Sequence, residues 1–172
     1  MRSIANMLVK SISPVLILTL LLTFTCLSAC DNEPGFGIYL VGSGELVLSD
    51  QHIEAYYWNS HTIELNGGGI EKWNSYMTDG GMPKLQDTLY QNEFVLKVKG
   101  EEIYRGEFYS FASSGSYYGI VILETLFKLD ESKNTIVIQY GYPRYPPDYG
   151  EDPRNNQKVF DYLESKGLLQ PE

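Results

Sequence analysis

Short apolar segments dominate the chain from position 36 onward. They are rich in aromatic and β-branched residues, and turn residues such as Gly, Asn and Ser separate them, which is the pattern of β-strands. We therefore predict eight short strands, over 36–41, 45–48, 55–58, 62–65, 93–99, 102–109, 119–123 and 135–140.

Helical spacing first occurs after Asn66, where three apolar side chains recur every three or four positions: Ile70, Trp73 and Met77. Asn66 is placed to cap a helix and Gly80 to end it, so we predict a helix over 68–78. Glycines at 67–69 each cost about 1 kcal/mol relative to alanine. Packing of Trp73 must therefore contribute much of the stability of this helix.

The segments 93–99 and 102–109 are predicted to form a hairpin that turns at or beside Gly100. A turn at Lys99-Gly100 would place Lys97 opposite Glu102 and Leu96 opposite Ile103, which suits both charge and core. A loop moved by one residue changes these pairs, and lysine is not a favoured residue at positive φ, so both registers stay open.

Prolines and tyrosines change the character of the chain over 142–153 (YPRYPPDYGEDP), which is incompatible with a helix or a central strand. Asp152-Pro153 predicts the start of a C-terminal helix whose apolar side holds Val159, Phe160 and Leu163. Gly167 is the predicted stop, and Leu168 and Leu169 are expected to fold back on the helix end.

These elements predict an α+β fold: a small, mainly antiparallel sheet with one packed helix, a Pro/Tyr-rich strap and a short C-terminal helix. The core domain is expected over 36–141, with 142–172 packed on it. The tail has two interpretations. Either its rings cover the sheet as a strap, which we favour, or Tyr142, Tyr145 and Tyr149 form an exposed binding surface for peptides or sugars.

The first 29 residues have the three parts of a secretory signal peptide. Arg2 and Lys10 make the start basic, 15–25 is an apolar run too short to span a bilayer, and small residues follow. Leu27-Ser28-Ala29-Cys30 resembles the lipobox of bacterial lipoproteins, and this resemblance implies a cleaved signal peptide and an acylated Cys30. Residues 30–35 would then be the tether of a protein held on the extracytoplasmic face of the cell membrane.

Removal of the signal peptide leaves 143 of the 172 residues, the size of one domain. It removes two basic and no acidic residues, so the net charge changes from −9 to −11. Such a surface repels phosphates, which argues against nucleic acid as a partner. Cys26 leaves with the signal peptide, so no disulfide within the chain is expected.

No motif of a known chemistry is present. His52 and His61 lack the spacing of a metal site, so we expect surface histidines and no metal. Glycines 67–69 lack the residues of a phosphate loop and are expected to form a permissive turn. The serines are not in a Gly-x-Ser-x-Gly setting, so no catalytic residue and no cofactor is predicted: Ser110, Ser113, Ser114 and Ser116.

Four stretches between 46 and 123 resemble the periplasmic head subdomain of the SecD-type protein-export subunit. They are the turn at 48–53, the strand entering a helix at 62–73 (with Gly69, Glu71, Lys72 and Trp73), the hairpin 94–104 and the loop 113–115. The resemblance implies an α+β fold with a helix packed on an antiparallel sheet. It does not imply protein export and transfers no functional residue.

Two functions follow from these observations. The first is a membrane-anchored, non-enzymatic lipoprotein that binds or assembles with a protein or a cell-envelope component. The second is a cell-envelope hydrolase with an unrecognised carboxylate or serine site. A cavity with converging carboxylates, or a serine close to His52 or His61, would favour the hydrolase, whereas a flat surface with exposed tyrosines would favour the binding protein.

Overall fold

A single nine-stranded sheet forms the frame of the protein. The computed structural model describes residues 34–80, 82–143 and 150–170. The elements in chain order are β1 Phe36–Leu40, β2 Leu46–Ser49, a 3-10 turn Asp50–His52, β3 Ile53–Tyr57, β4 Thr62–Leu65, α1 Gly67–Asn74, β5 Glu93–Val98, β6 Glu101–Tyr109, β7 Tyr117–Leu123, β8 Thr135–Tyr142, α2 Gln157–Ser165 and β9 Leu169–Gln170.

The strands follow the order β2-β1-β5-β6-β7-β8-β4-β3-β9. Neighbours are antiparallel except for the pairs β6–β7 and β3–β9, which are parallel. The predicted α+β fold with a mainly antiparallel sheet and a small helical part is therefore confirmed.

The sheet is strongly curved. Strands β2 and β3 are seven places apart in the sheet, which is about 34 Å in a flat sheet. The 3-10 turn that joins them has three residues and spans at most about 11 Å. The sheet must therefore bend until its two ends approach each other. Helix α1 closes this junction, since Asn66 donates from its amide to Gln51 O (2.8 Å) and from its backbone N to His52 O (3.1 Å).

The concave face of the sheet holds the hydrophobic core. Trp73 of α1 is completely buried and its ring centre lies 6.4 Å from that of Phe108 on β6. Val159 and Leu163 of α2 are also completely buried in the same cluster. Burial of apolar surface by both helices thus contributes to the stability of one common core.

Helix α1 begins as predicted but ends earlier. The Asn66 side chain accepts a hydrogen bond from Gly69 N (3.0 Å), which is the expected cap. The helix stops at Asn74 rather than Thr78, because Met77 leaves the helical path and forms a β-bridge with Leu85. Trp73 and Met77 are buried as the spacing predicted, whereas Ile70 is only partly buried.

The predicted hairpin forms, with one pair corrected. Lys99 and Gly100 occupy the turn at φ of 50° and 78°, and Lys97 pairs with Glu102 as expected. Leu96 pairs with Tyr104 instead of Ile103, because a register shift next to Lys97 inserts an extra residue into β6. The shift turns the Tyr104 ring toward the core.

The C-terminal helix also starts later than predicted. Asp152 does not cap it, because its carboxylate binds Arg154, and Asn156 caps it by accepting from Lys158 N (2.9 Å). Gly167 follows the helix end at φ 70°, as predicted, and Leu168 N donates to Leu163 O (3.0 Å) on the helix. Leu169 pairs with Tyr56 of β3, which the sequence did not predict. In the ranges that the structure describes, no helix has the length and apolar character needed to cross a membrane.

Candidate binding groove

An open apolar groove of about 230 Å³ lies on the outer face of the sheet, above β7 and β8. Leu123, Val137 and Gln139 form its floor. The walls are three large side chains that are 42–50% exposed: Phe111, Leu126 and Phe127. We call this site the β7–β8 groove. Such large apolar side chains in contact with water are the usual sign of a binding surface.

The connections of β7 build both walls. Strands β6 and β7 are parallel, so the connection 110–116 must return along the sheet, and it brings Phe111 over the outer face. The connection 124–134 carries Leu126 and Phe127. Helix α1 holds this second loop in place, since Asn74 bonds to both the N and the O of Leu129 at 2.8 Å.

A buried carboxylate fixes the end of the groove. Glu124 is 5% exposed, and its oxygens accept from the Ser110 hydroxyl and from Leu85 N (3.2 Å). The Ser110 hydroxyl in turn accepts from Ala112 N at 3.0 Å. Ser110 and Glu124 therefore join three segments of the chain beneath the groove. These hydrogen bonds satisfy the Ser110 hydroxyl and the Glu124 carboxylate, which are both buried.

Tyr142 belongs to an aromatic cluster beside the groove. Its ring packs against Tyr109 and Phe111 at centroid distances of 5.5 and 6.1 Å, and its hydroxyl donates to Phe111 O at 3.1 Å. It is half-buried and packs against the groove wall, and its predicted role in a binding surface stays a prediction. Of the other predicted site residues, Cys30, Tyr145 and Tyr149 lie outside the described residues.

Glu64 flanks the groove on the neighbouring strand. It is directly opposite Thr135, which lines the groove, and both side chains are on the outer face of the sheet. The carboxylate accepts from the Tyr57 hydroxyl (2.8 Å) and from the Asn134 amide (3.2 Å). The hydrogen bond to Glu64, followed by its negative charge, raises the pKa of the Tyr57 hydroxyl.

His61 is not the surface residue that the sequence predicted. It is 2% exposed, and its Nδ1 lies 2.9 Å from the Tyr56 hydroxyl. The correction has a local cause: His61 adopts a positive φ of 51° in the turn between β3 and β4, which directs the ring inward. Its ring centre lies 5.5 Å from that of Trp58.

A buried ion pair lies near His61. Asp152 and Arg154 side chains are 10% and 11% exposed, and Arg154 donates through Nε (3.0 Å) and Nη2 (2.5 Å) to the carboxylate. Arg154 Nη1 also donates to Ile138 O on β8 (2.6 Å). Burial alone would raise the pKa of Asp152, but the Arg154 hydrogen bonds outweigh it and lower that pKa. These contacts pack residues 152–154 onto the sheet.

The other histidine contacts a serine. The Ser49 hydroxyl lies 3.0 Å from His52 Nδ1, and Ser49 N donates to the same nitrogen at 3.0 Å. Ser49 is 1% exposed, so a substrate has no direct access to its hydroxyl. Burial, and then the charge of Lys72, lower the pKa of His52. The pair closes the 3-10 turn between β2 and β3.

A possible metal site and similarity to known proteins were the two remaining sources of functional information. Within residues 34–80, 82–143 and 150–170, no three His, Cys, Asp or Glu side chains are grouped to hold a metal ion. Comparisons with models of known protein families, with characterised proteins and with solved structures found no match. The resemblances to the lipobox and to the SecD-type head subdomain therefore stay predictions.

The residues of the groove are absent from the sites predicted by sequence. Leu126 and Phe127 follow the apolar strand β7 and have the composition of core residues, so nothing local marks them as exposed. Phe111 lies in a loop whose path depends on the parallel pairing of β6 and β7. A large apolar pair next to a strand end was the one available signal, and it is a weak one.

Proposed function

We propose that this protein is a lipid-anchored, extracytoplasmic binding module without enzymatic activity, and that the β7–β8 groove holds an apolar side chain of a cell-envelope protein. The observation that carries the proposal is the exposure of Phe111, Leu126 and Phe127 around a floor of Leu123 and Val137. Three large apolar side chains at one open site gain free energy when a partner covers them.

The size of the groove favours a side chain of a protein over a small molecule. Sites for drug-sized ligands and cofactors occupy about 300–1,000 Å³ and enclose most of the ligand. The groove has about 230 Å³ and is open to solvent. One aliphatic or aromatic side chain from an extended segment suits these dimensions, while the rest of the segment remains on the sheet surface.

A cell-envelope hydrolase is less well supported. The serine and histidine that such an enzyme needs would be Ser49 and His52, which are in contact. Their contact closes a turn, and Ser49 is buried, so a nucleophile there would be inaccessible to a polymer substrate. The exposed groove contains neither residue.

Site-specific crosslinking in native membranes tests the proposal. A photo-crosslinking phenylalanine analogue replaces Phe127, and the matched control carries it at Tyr118, which is 58% exposed and does not line the groove. We expect a discrete protein adduct from position 127 that is absent from position 118. The Phe111→Ser and Leu126→Ser substitutions together should remove the adduct. Identical adducts from both positions, or lipid adducts alone, would contradict the proposal.

A further inference from the structure

We infer that the β7–β8 groove and Glu64 together recognise an extended protein segment that has an apolar side chain and, two positions away, a lysine or arginine. The inference rests on the binding function proposed above and adds the chemical class of the partner segment. It follows from three features: the apolar groove, the Glu64 carboxylate beside it, and the spacing of side chains in an extended chain.

The carboxylate of Glu64 is available to a cation from a partner. Among the described residues, none of the ion pairs includes Glu64, and its two hydrogen bonds come from the neutral groups of Tyr57 and Asn134. A carboxylate has about four acceptor sites, so the two contacts leave room for a further donor. Both contacts hold the carboxylate in place before a partner arrives, which lowers the entropy lost on binding.

The distance between Glu64 and the groove matches an extended chain. Directly opposed residues of antiparallel strands have Cβ atoms about 5 Å apart, and Thr135, which lines the groove, is opposite Glu64. Residues two apart in an extended segment point to the same side and are about 7 Å apart. A segment whose apolar side chain enters the groove therefore directs its second-next side chain toward Glu64.

The charge of the chain agrees with a basic segment. The full sequence has 13 basic and 22 acidic residues, so its long-range field attracts cations. Lys133 does not line the groove, but its ammonium lies 4.6 Å from the ring centre of Phe127, which does. Within the described part of the chain, no ion pair joins Lys133 to Glu64.

Three synthetic nonapeptides with blocked ends serve as the probes. The first has phenylalanine at the centre and lysine two positions to each side, in a background of threonine, serine and glycine. The second replaces both lysines by glutamate, and the third replaces the phenylalanine by alanine. Binding to the full-length chain in lipid nanodiscs is measured by calorimetry or fluorescence anisotropy at 50 and 500 mM NaCl.

We expect the first peptide to bind and the other two to bind at least about tenfold more weakly. Glu64→Gln keeps the acceptor for Tyr57 and removes the charge, so it should weaken the first peptide about tenfold and reduce the salt dependence of its binding. Glu71→Gln, on the exposed face of α1, is the matched control and should change nothing.

The outcomes separate the inference from the proposed function. Equal binding of the lysine and glutamate peptides, with weaker binding of the alanine peptide, would overturn the inference and leave the groove as a binding site. Equal weakening by Glu64→Gln and Glu71→Gln would also overturn it. The inference would be supported if Glu64→Gln, but not Glu71→Gln, loses the preference for the lysine peptide over the glutamate peptide and still binds the phenylalanine. Binding of no peptide at millimolar concentration would contradict both proposals.

Discussion

Three consecutive glycines at the start of α1 give a sharp test of how the helix is joined to the sheet. A Cβ on Gly69 would lie 2.2 Å from His52 O and 3.0 Å from the Leu65 Cβ. A Cβ on Gly68 would have Asn66 Oδ1 as its nearest neighbour at 3.5 Å, and one on Gly67 would meet nothing within 4 Å. The same substitution should therefore have opposite effects at adjacent positions.

The magnitudes follow from this geometry. Ordinary C···O contacts are about 3.3–3.6 Å, so Gly69→Ala requires the helix to move by about 1 Å from His52. The movement lengthens the hydrogen bond from Asn66 N to His52 O (3.1 Å). Such overpacking costs about 1–3 kcal/mol. Gly68→Ala instead gains up to about 1 kcal/mol from the higher helix propensity of alanine.

Urea unfolding of the Cys30→Ser chain, followed by tryptophan fluorescence, measures both effects. The midpoint should fall for Gly69→Ala and rise for Gly68→Ala, with the same dependence on urea for both variants. The resulting difference of about 1–4 kcal/mol corresponds to a gap of at least a few degrees in the melting temperature. Equal stability of the two variants would refute the close approach of α1 to the 3-10 turn.

Two further predictions follow from the described contacts, and a third follows from the lipobox resemblance. Trp73→Ala should destabilise the chain by about 3–5 kcal/mol, because the side chain is fully buried and its Nε1 donates to Thr125 Oγ1 (3.3 Å). A loss of less than about 1 kcal/mol in a urea titration would contradict this burial. Asp152→Asn should lower the free energy of unfolding by about 3 kcal/mol at pH 7, because it breaks a buried ion pair. The pKa of Asp152 is lower in the folded chain than in the unfolded chain. The ion pair therefore stabilises the fold fully above the unfolded pKa near 3.9, and this stabilisation is lost as the pH falls through the pKa of the folded chain. The difference in stability between the wild type and this variant should therefore shrink below about pH 4, and a constant difference from pH 7 to pH 3 would count against the ion pair. Mass spectrometry of the native protein should find Cys30 as the first residue with acyl mass, and Cys30→Ser should release the chain from the membrane; an intact Met1 terminus would contradict the lipoprotein proposal.

Local sequence determined most of the elements because their causes are local. Runs of apolar and β-branched residues predicted the strands, and the Asn66 cap with the spacing of Trp73 and Met77 predicted the helix. Its end was wrong because Leu85, eleven residues after Asn74, draws Met77 into a β-bridge. The start of the second helix was wrong because Asp152 binds Arg154 rather than the helix end.

The candidate site was decided by tertiary structure. Its walls meet because β6 and β7 are parallel, and only that pairing carries Phe111 back over the sheet toward Leu126 and Phe127. Glu64 comes beside the groove through the register of β4 on β8, about 70 residues apart in the chain. The sequence by itself predicted eight of the nine strands and the presence of both helices, and it determined how acidic the chain is. Its assignment of Cys30 as the anchor stays a prediction. Which apolar residues stay exposed was fixed only by non-local strand pairing, since exposure depends on the neighbours that pack against a side chain and not on its own type.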